Sequence, residues 1–148
     1  MPFQKHPFLA FLQAPLIVLL GALANPVSGT EVYVVVNPSV DQDTIRRGNV
    51  RAIVSMRRTL WDGGDPIQVF VLPEESPIHQ AFCKETLHIF PYQLADTWER
   101  LVFSGTGRAP TRLDTPAEMK RRIANTPGAI GYLPGDYIDE SVEVVIVQ

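Results

Sequence analysis

Residues 67–81 read IQVFVLPEESPIHQA. Ile67 to Leu72 is a short apolar run rich in β-branched and aromatic residues, closed by Pro73, and it predicts a strand. Ser76-Pro77 follows and marks a helix start. The serine suits the N-cap, where its oxygen accepts an orphan amide, and proline fits the first helical position because its missing N–H is not needed there. Ile78, Phe82 and Leu87 supply that helix with an apolar face. A buried strand feeding directly into a capped helix is the unit from which layered α/β domains are built.

The same pattern extends both ways. Upstream, Val32 to Val36 (VYVVV) is a near-continuous apolar run, as expected of a strand covered on both faces, and Asn37-Pro38-Ser39 ends it. Ile45, Val50, Ile53 and Val54 predict a short amphipathic helix, best from Asn49 onward, with Gly48 a candidate N-cap. Trp61 to Pro66 (WDGGDP) is a turn cluster. Downstream, Pro91 opens a helix with Leu94, Trp98, Leu101 and Val102 on one stripe. Residues 104–110 (SGTGRAP) read as a loop. Thr115-Pro116-Ala117-Glu118 is a capping box that starts a helix to about Asn125. Thr126-Pro127-Gly128 is a turn, Ala129 to Leu133 a strand, and Val142 to Val147 a final strand. The order β-α-β-α-α-α-β-β predicts one α/β domain with a mixed sheet.

The N-terminus has the three parts of a secretory signal. Lys5 lies in a short polar region, Phe8 to Leu23 is mostly apolar, and Ala22-Leu23-Ala24 is an A-x-A site. The expected organisation is a signal peptide over residues 1–24, cleaved before Asn25, and one domain over residues 25–148, released outside the cytoplasm without membrane insertion. Gln13 and Pro15 interrupt an apolar run already short for a bilayer span. The whole chain carries 13 Lys and Arg against 16 Asp and Glu, a net charge of −3; loss of Lys5 makes it −4. An acidic balance argues against nucleic acid and anionic membrane surfaces as partners. Cys83 is the single cysteine, so no intrachain disulfide forms.

Few residues carry a chemical signature. No paired carboxylates, catalytic triad, P-loop or dinucleotide fingerprint is present, and no cofactor or enzymatic activity is expected. His79 and Cys83 stand four apart on a helix, but nothing completes a metal set or orients them as a nucleophilic pair. Trp98 fits core packing, whereas Trp61, in a turn, is open to core or ligand roles. Two features suit an anion: the amides at the start of the Ser76 helix, and the Ser104 to Arg108 loop, with hydroxyls, exposed amides and a guanidinium. Each also has an ordinary structural reading, as an N-cap and as a helix exit. The Arg46-Arg47 and Arg57-Arg58 pairs are either solvated or part of a small basic surface.

Taken together, Val35-Val36-Asn37-Pro38-Ser39, the helix before a Trp-Asp-Gly turn, the strand-to-Ser76 unit and Thr126-Pro127-Gly128-Ala129-Ile130-Gly131-Tyr132 resemble the phosphate-binding components of ABC transporters. Those proteins belong to the type II periplasmic binding protein superfamily. The resemblance implies an α/β fold with a single three-layer lobe and a mixed, mostly parallel sheet, where the family has two lobes around an oxyanion. It implies a periplasmic, non-catalytic module for phosphate or another small anion, with Ser39, Ser76, Ser104, Thr106 and Arg108 as candidate ligand residues. The partner it implies is an ABC transporter component or another envelope protein. The family pattern Arg-x-x-x-Ser-Gly-Thr falls here on Leu72, Ser76, Pro77 and Ile78, so the arginine and the Gly-Thr are replaced. Glu74 and Glu75 sit beside Ser76 and oppose an anion by about 1 kcal/mol or more each where partly screened from water. The family's Ile-Phe-x-Gly helix end reads Ile53-Val54-Ser55-Met56. The alternative implied by these replacements is an envelope interaction module that has lost its ligand.

Overall fold

The computed structural model describes residues 30–148; the expected signal peptide and its cleavage site lie outside them. The strands are β1 (Val32–Val36), β2 (Thr44–Ile45), β3 (Gln68–Val71), β4 (Thr111–Arg112), β5 (Ala129–Pro134) and β6 (Glu143–Val147). The helices are α1 (Arg47–Val54), α2 (Pro77–Ala81), α3 (Pro91–Ser104) and α4 (Pro116–Asn125). A π-helical turn, Phe82–Leu87, continues α2. The strands form one sheet in the order β2-β6-β1-β5-β3-β4. β2 runs parallel to β6, and β3 runs parallel to both β4 and β5. β1 is antiparallel to its two neighbours. The sheet is therefore mixed and mostly parallel.

β5 is buried along its whole length because helices cover both faces of the sheet. On one face the Tyr132 ring stacks on Phe82 with centroids 4.0 Å apart, and Val50 and Val54 of α1 line the same internal crevice. Successive strand residues point to opposite faces, and Gly131 meets α4 on the other. A Cβ there would lie 2.7 Å from Ile123 Cδ1 and 3.0 Å from Met119 Sδ, so only glycine lets α4 approach this closely. Three layers result, as expected for the lobe.

Two local departures have physical causes. The helix begun at Ser76 packs Ile78 against the core as expected but only half-buries it; the fully buried side chain there is His79, at 1% exposure. The π-turn that follows changes the spacing, and Phe82, Cys83 and Leu87 all face inward. The apolar stripe of α3 also stops early. Leu94 is buried and Trp98 packs on the core, its Nε1 donating to Val54 O at 2.9 Å. Beyond Trp98 no α3 side chain joins the core, and Val102 and Phe103 are 55% and 87% exposed.

Several polar residues are structural. Asn37 Nδ2 donates to Ile123 O and Ala124 O, closing the end of α4, and its Oδ1 accepts from Ser39 N–H. Arg47 Nε donates to Thr86 O, and Arg51 Nε to Leu87 O, so two guanidiniums complement the carbonyl end of the π-turn. Met56 takes a φ of 63° where the family pattern has glycine, a conformation that costs about 1 kcal/mol in any residue with a Cβ.

Candidate functional site

β5, β3 and β4 are adjacent and parallel, so their carboxyl ends lie along one edge of the sheet. β3 runs through Pro73–Ser76 into α2, and β4 through Leu113–Thr115 into α4. Both helix starts are capped. Ser76 Oγ accepts a long bond from His79 N–H at 3.5 Å, and Thr115 Oγ1 accepts from Glu118 N–H at 3.1 Å. In open α/β sheets, ligands bind at the carboxyl ends of parallel strands, and helix amides there favour anions.

The charges at this edge are mixed. Leu72 is buried and neutral. A guanidinium at this edge belongs to Arg112, the last residue of β4, paired in register with Val71. Arg112 is exposed, and the ion pairs among the described residues, Arg58–Asp62 and Lys120–Asp139, do not involve it. Its field reaches His79. Glu74, Glu75 and Asp114 are exposed at the same edge, and the Glu118 carboxylate accepts from Asp114 N–H at 3.3 Å.

Beneath the α2 start lies a buried polar chain. Leu72 N–H donates to Tyr132 Oη at 2.8 Å. Tyr132 Oη is 2.5 Å from His79 Nδ1, and His79 Nε2 is 3.5 Å from Cys83 Sγ. One proton arrangement satisfies all four groups. Tyr132 accepts from Leu72 and donates to Nδ1, so the Nε2–H tautomer of His79 points at the sulfur. Burial, aided by Arg112 and opposed by Glu75, lowers the His79 pKa to about 4. Burial, with Glu74 adding, pushes the Cys83 thiol up to about 12, and burial raises Tyr132 as well. At neutral pH the histidine is unprotonated with both ring nitrogens engaged, and the cysteine is a thiol. The chain positions α2 against β3 and has neither a nucleophile nor a free base.

The five candidate ligand residues do not form one cluster. Ser76 lies at the carboxyl edge of β3. Ser39 follows β1, which runs opposite to β3, so it lies at the other edge of the sheet. A four-residue strand separates those edges by about 13 Å. Ser39 Oγ accepts from Gly128 N–H at 3.0 Å, and Trp61 Nε1 donates to Gly128 O at 3.0 Å. Trp61 is thus a buried clasp on the turn before β5. Gly128 has φ 73°, and a Cβ there would fall 2.4 Å from Pro66 O. The cleft beside it, about 430 Å³, is lined by Asp41, Asp62 and Asp65 as well as Ser39, the wrong sign for an anion. Ser104 ends α3, and Thr106 and Arg108 lie in the exposed loop that leads into β4, with Ser104 Oγ and Thr106 Oγ1 2.7 Å apart. Arg112 was not among the five. Its strand is two residues long, and only the alternation of exposed Arg112 with buried Leu113 marks it.

Comparison with solved structures places this fold. The chain matches an ABC-type phosphate transport receptor from Vibrio cholerae at TM-score 0.61 and 15% identity, over 78% of this chain and 45% of that one. A putative phosphate ABC transporter substrate-binding protein with bound phosphate, from Clostridium perfringens, gives 0.64 and 21%, over 78% and 44%. PstS from Borrelia burgdorferi gives 0.61 and 15%, over 79% and 47%. No family sequence model and no curated protein matches the chain. The chain has the α/β fold of phosphate-type substrate-binding proteins and spans under half of their length. Among the described residues, no helix is long and apolar enough to cross a membrane.

Proposed function

We propose that this chain is an exported, non-catalytic binding module of the solute-binding type, taking a small oxyanion at the carboxyl edge of β3 and β4, with inorganic phosphate the first candidate. The observation that carries the reading is the placement on one edge of the sheet of two capped helix starts and of Arg112, which makes no ion pair among the described residues. Ser76 and Arg112 are the leading ligand residues. Ser104 at the end of α3, with Thr106 and Arg108 in the loop before β4, forms a second rank. Ser39, at the far edge, cannot share that ligand. Residues 25–148 form the working unit after removal of residues 1–24 in the periplasm, and an ABC transporter component is its natural partner.

Magnitudes decide the affinity. A charge-assisted bond to Arg112 contributes about 1.5–3 kcal/mol, and each helix start about 0.3–1 kcal/mol. The exposed carboxylates Glu74, Glu75 and Asp114 offset much of this at about 1 kcal/mol each near contact in water. The balance is at most about 2 kcal/mol, weak binding in the tens of millimolar. Calorimetric titration of the mature protein with phosphate tests it. Heat at tens of millimolar phosphate that disappears in Arg112→Ala is the expected result; a folded protein that gives no heat there ends the oxyanion reading.

The second reading is an interaction module without a small ligand. The exposed Val102 and Phe103, immediately before Ser104, favour it, together with the carboxylates around Ser76. It predicts the silent titration.

A further inference from the structure

Two shallow grooves adjoin on a face that shares no residue with the β3–β4 edge. The first, about 280 Å³, lies between the end of α1 and the start of α3, with Arg51 and Arg57 on its walls and Ile89 and Leu94 among its apolar lining. The second, about 400 Å³, shares Ile89 and Gln93 with it and is lined by Lys84, His88, Phe90 and Tyr92. No aspartate or glutamate lines either groove. In a chain of net charge −3, that is a segregated basic face.

The cations are positioned and unspent. Arg51 Nε is tied to Leu87 O, and Arg57 Nε donates to Ser55 Oγ at 3.1 Å. Arg57 is held by its inner nitrogen alone, and Arg51 by its inner nitrogen and a long bond from Nη2 to His88 O at 3.5 Å, which leaves Arg51 Nη1 and both terminal nitrogens of Arg57 for another acceptor. Arg51, Arg57 and Lys84 make no ion pair among the described residues. Beside them Phe90 and Tyr92, 56% and 57% exposed, stack with centroids 5.9 Å apart. Arginine and tyrosine are the side chains that most often dominate protein interfaces. The grooves are open to solvent and run together through Ile89 and Gln93, which suits a chain laid across both better than an enclosed small molecule.

We propose that this face docks an extended acidic segment of a partner protein, with carboxylates against Arg51, Arg57 and Lys84 and apolar side chains against Ile89 and the Phe90–Tyr92 stack. The proposal does not depend on the oxyanion reading, which phosphate calorimetry tests separately. Arg57 and Lys84 are the clean probes, since Arg57 holds only Ser55 and Lys84 holds no side-chain partner among the described residues. The experiment is fluorescence anisotropy with a labelled decapeptide alternating Glu and Leu, alongside its Gln–Leu and Lys–Leu counterparts and anionic phosphatidylglycerol vesicles. The Glu–Leu peptide should bind at least tenfold more tightly than the others and weaken steeply with salt. Arg57→Glu with Lys84→Glu should weaken it at least tenfold again at an unchanged thermal midpoint. Equal binding of the Glu–Leu and Gln–Leu peptides, wild-type affinity in the double variant, or binding to vesicles without binding to the peptide overturns the proposal.

Discussion

Replacing Tyr132 by phenylalanine removes one oxygen and tests the buried chain at the base of α2. The ring keeps its stack on Phe82, so packing changes little. Two partners are orphaned, Leu72 N–H and His79 Nδ1, in residues at most 2% exposed. Leaving a buried polar group unsatisfied costs about 1–3 kcal/mol, so the variant should lose roughly 2–4 kcal/mol. For a domain of this size that lowers the melting temperature by roughly 8–15 °C. Urea unfolding followed by tryptophan fluorescence reads it well, because Trp98 lies 6.4 Å from the His79 ring. Replacing His79 by leucine as well removes one orphan, so the double variant should cost at least about 1 kcal/mol less than the two single costs together. A loss below about 0.5 kcal/mol in Tyr132→Phe, or strict additivity in the cycle, refutes the shared network.

The remaining predictions follow from the same geometry. His79 is held neutral when folded, with a pKa of about 4, against roughly 6.5 in the unfolded chain. Its contribution is therefore complete above about pH 6.5 and is lost as pH falls toward 4, roughly 2 kcal/mol by pH 4.5, and His79→Leu should flatten that slope in urea titrations. With its thiol pushed up to about 12, Cys83 should resist an aromatic disulfide reagent at pH 8 in the native state, labelling only at the rate of unfolding. Glu74→Gln with Glu75→Gln should tighten phosphate about 5- to 30-fold in calorimetry at low salt; no change would show that the anion sits elsewhere. Gly128→Ala should cost at least about 3 kcal/mol by thermal melting, from combined left-handed strain and the clash with Pro66 O.

The strand and helix order was legible because each signal is local. Ser76-Pro77 and Thr115-Pro116 announce helices through amide capping, and both caps are present. Val32–Val36 and Ala129–Pro134 are uniformly apolar because each is a central strand. Strand direction has no comparable local signal. Ser39 and Ser76 each follow a strand, and nothing in their neighbourhoods says that β1 and β3 run oppositely. Grouping them in one site was therefore beyond the sequence. Burial of His79 was hidden for a similar reason. Ile78 is the better apolar residue, but the π-turn and the Tyr132 hydroxyl from a distant strand select His79. Arg112 was hidden by scale, since a two-residue strand leaves almost no periodicity to read.

These observations bear on how a binding fold can change its ligand without changing its frame. The carboxyl edge of β3 and β4 keeps the features that backbone geometry enforces: parallel strands that run into helix starts. These follow from the fold and persist whatever the side chains do. Charge is set residue by residue, and here Leu72 is neutral, Arg112 lies on the neighbouring strand, and Glu74 and Glu75 are exposed just before the Ser76 cap. A guanidinium on β4 rather than β3 would keep its sign at the edge but approach an anion from a different direction. The two carboxylates act differently, lowering affinity for every anion regardless of shape. Neutralising Glu74 and Glu75 should therefore strengthen phosphate, sulfate and small carboxylates alike, whereas Arg112→Lys should weaken the anions that accept a bidentate fork more than those that do not. A common gain in the first variant and an unequal loss in the second would separate the general field of this edge from the specific contact made by Arg112.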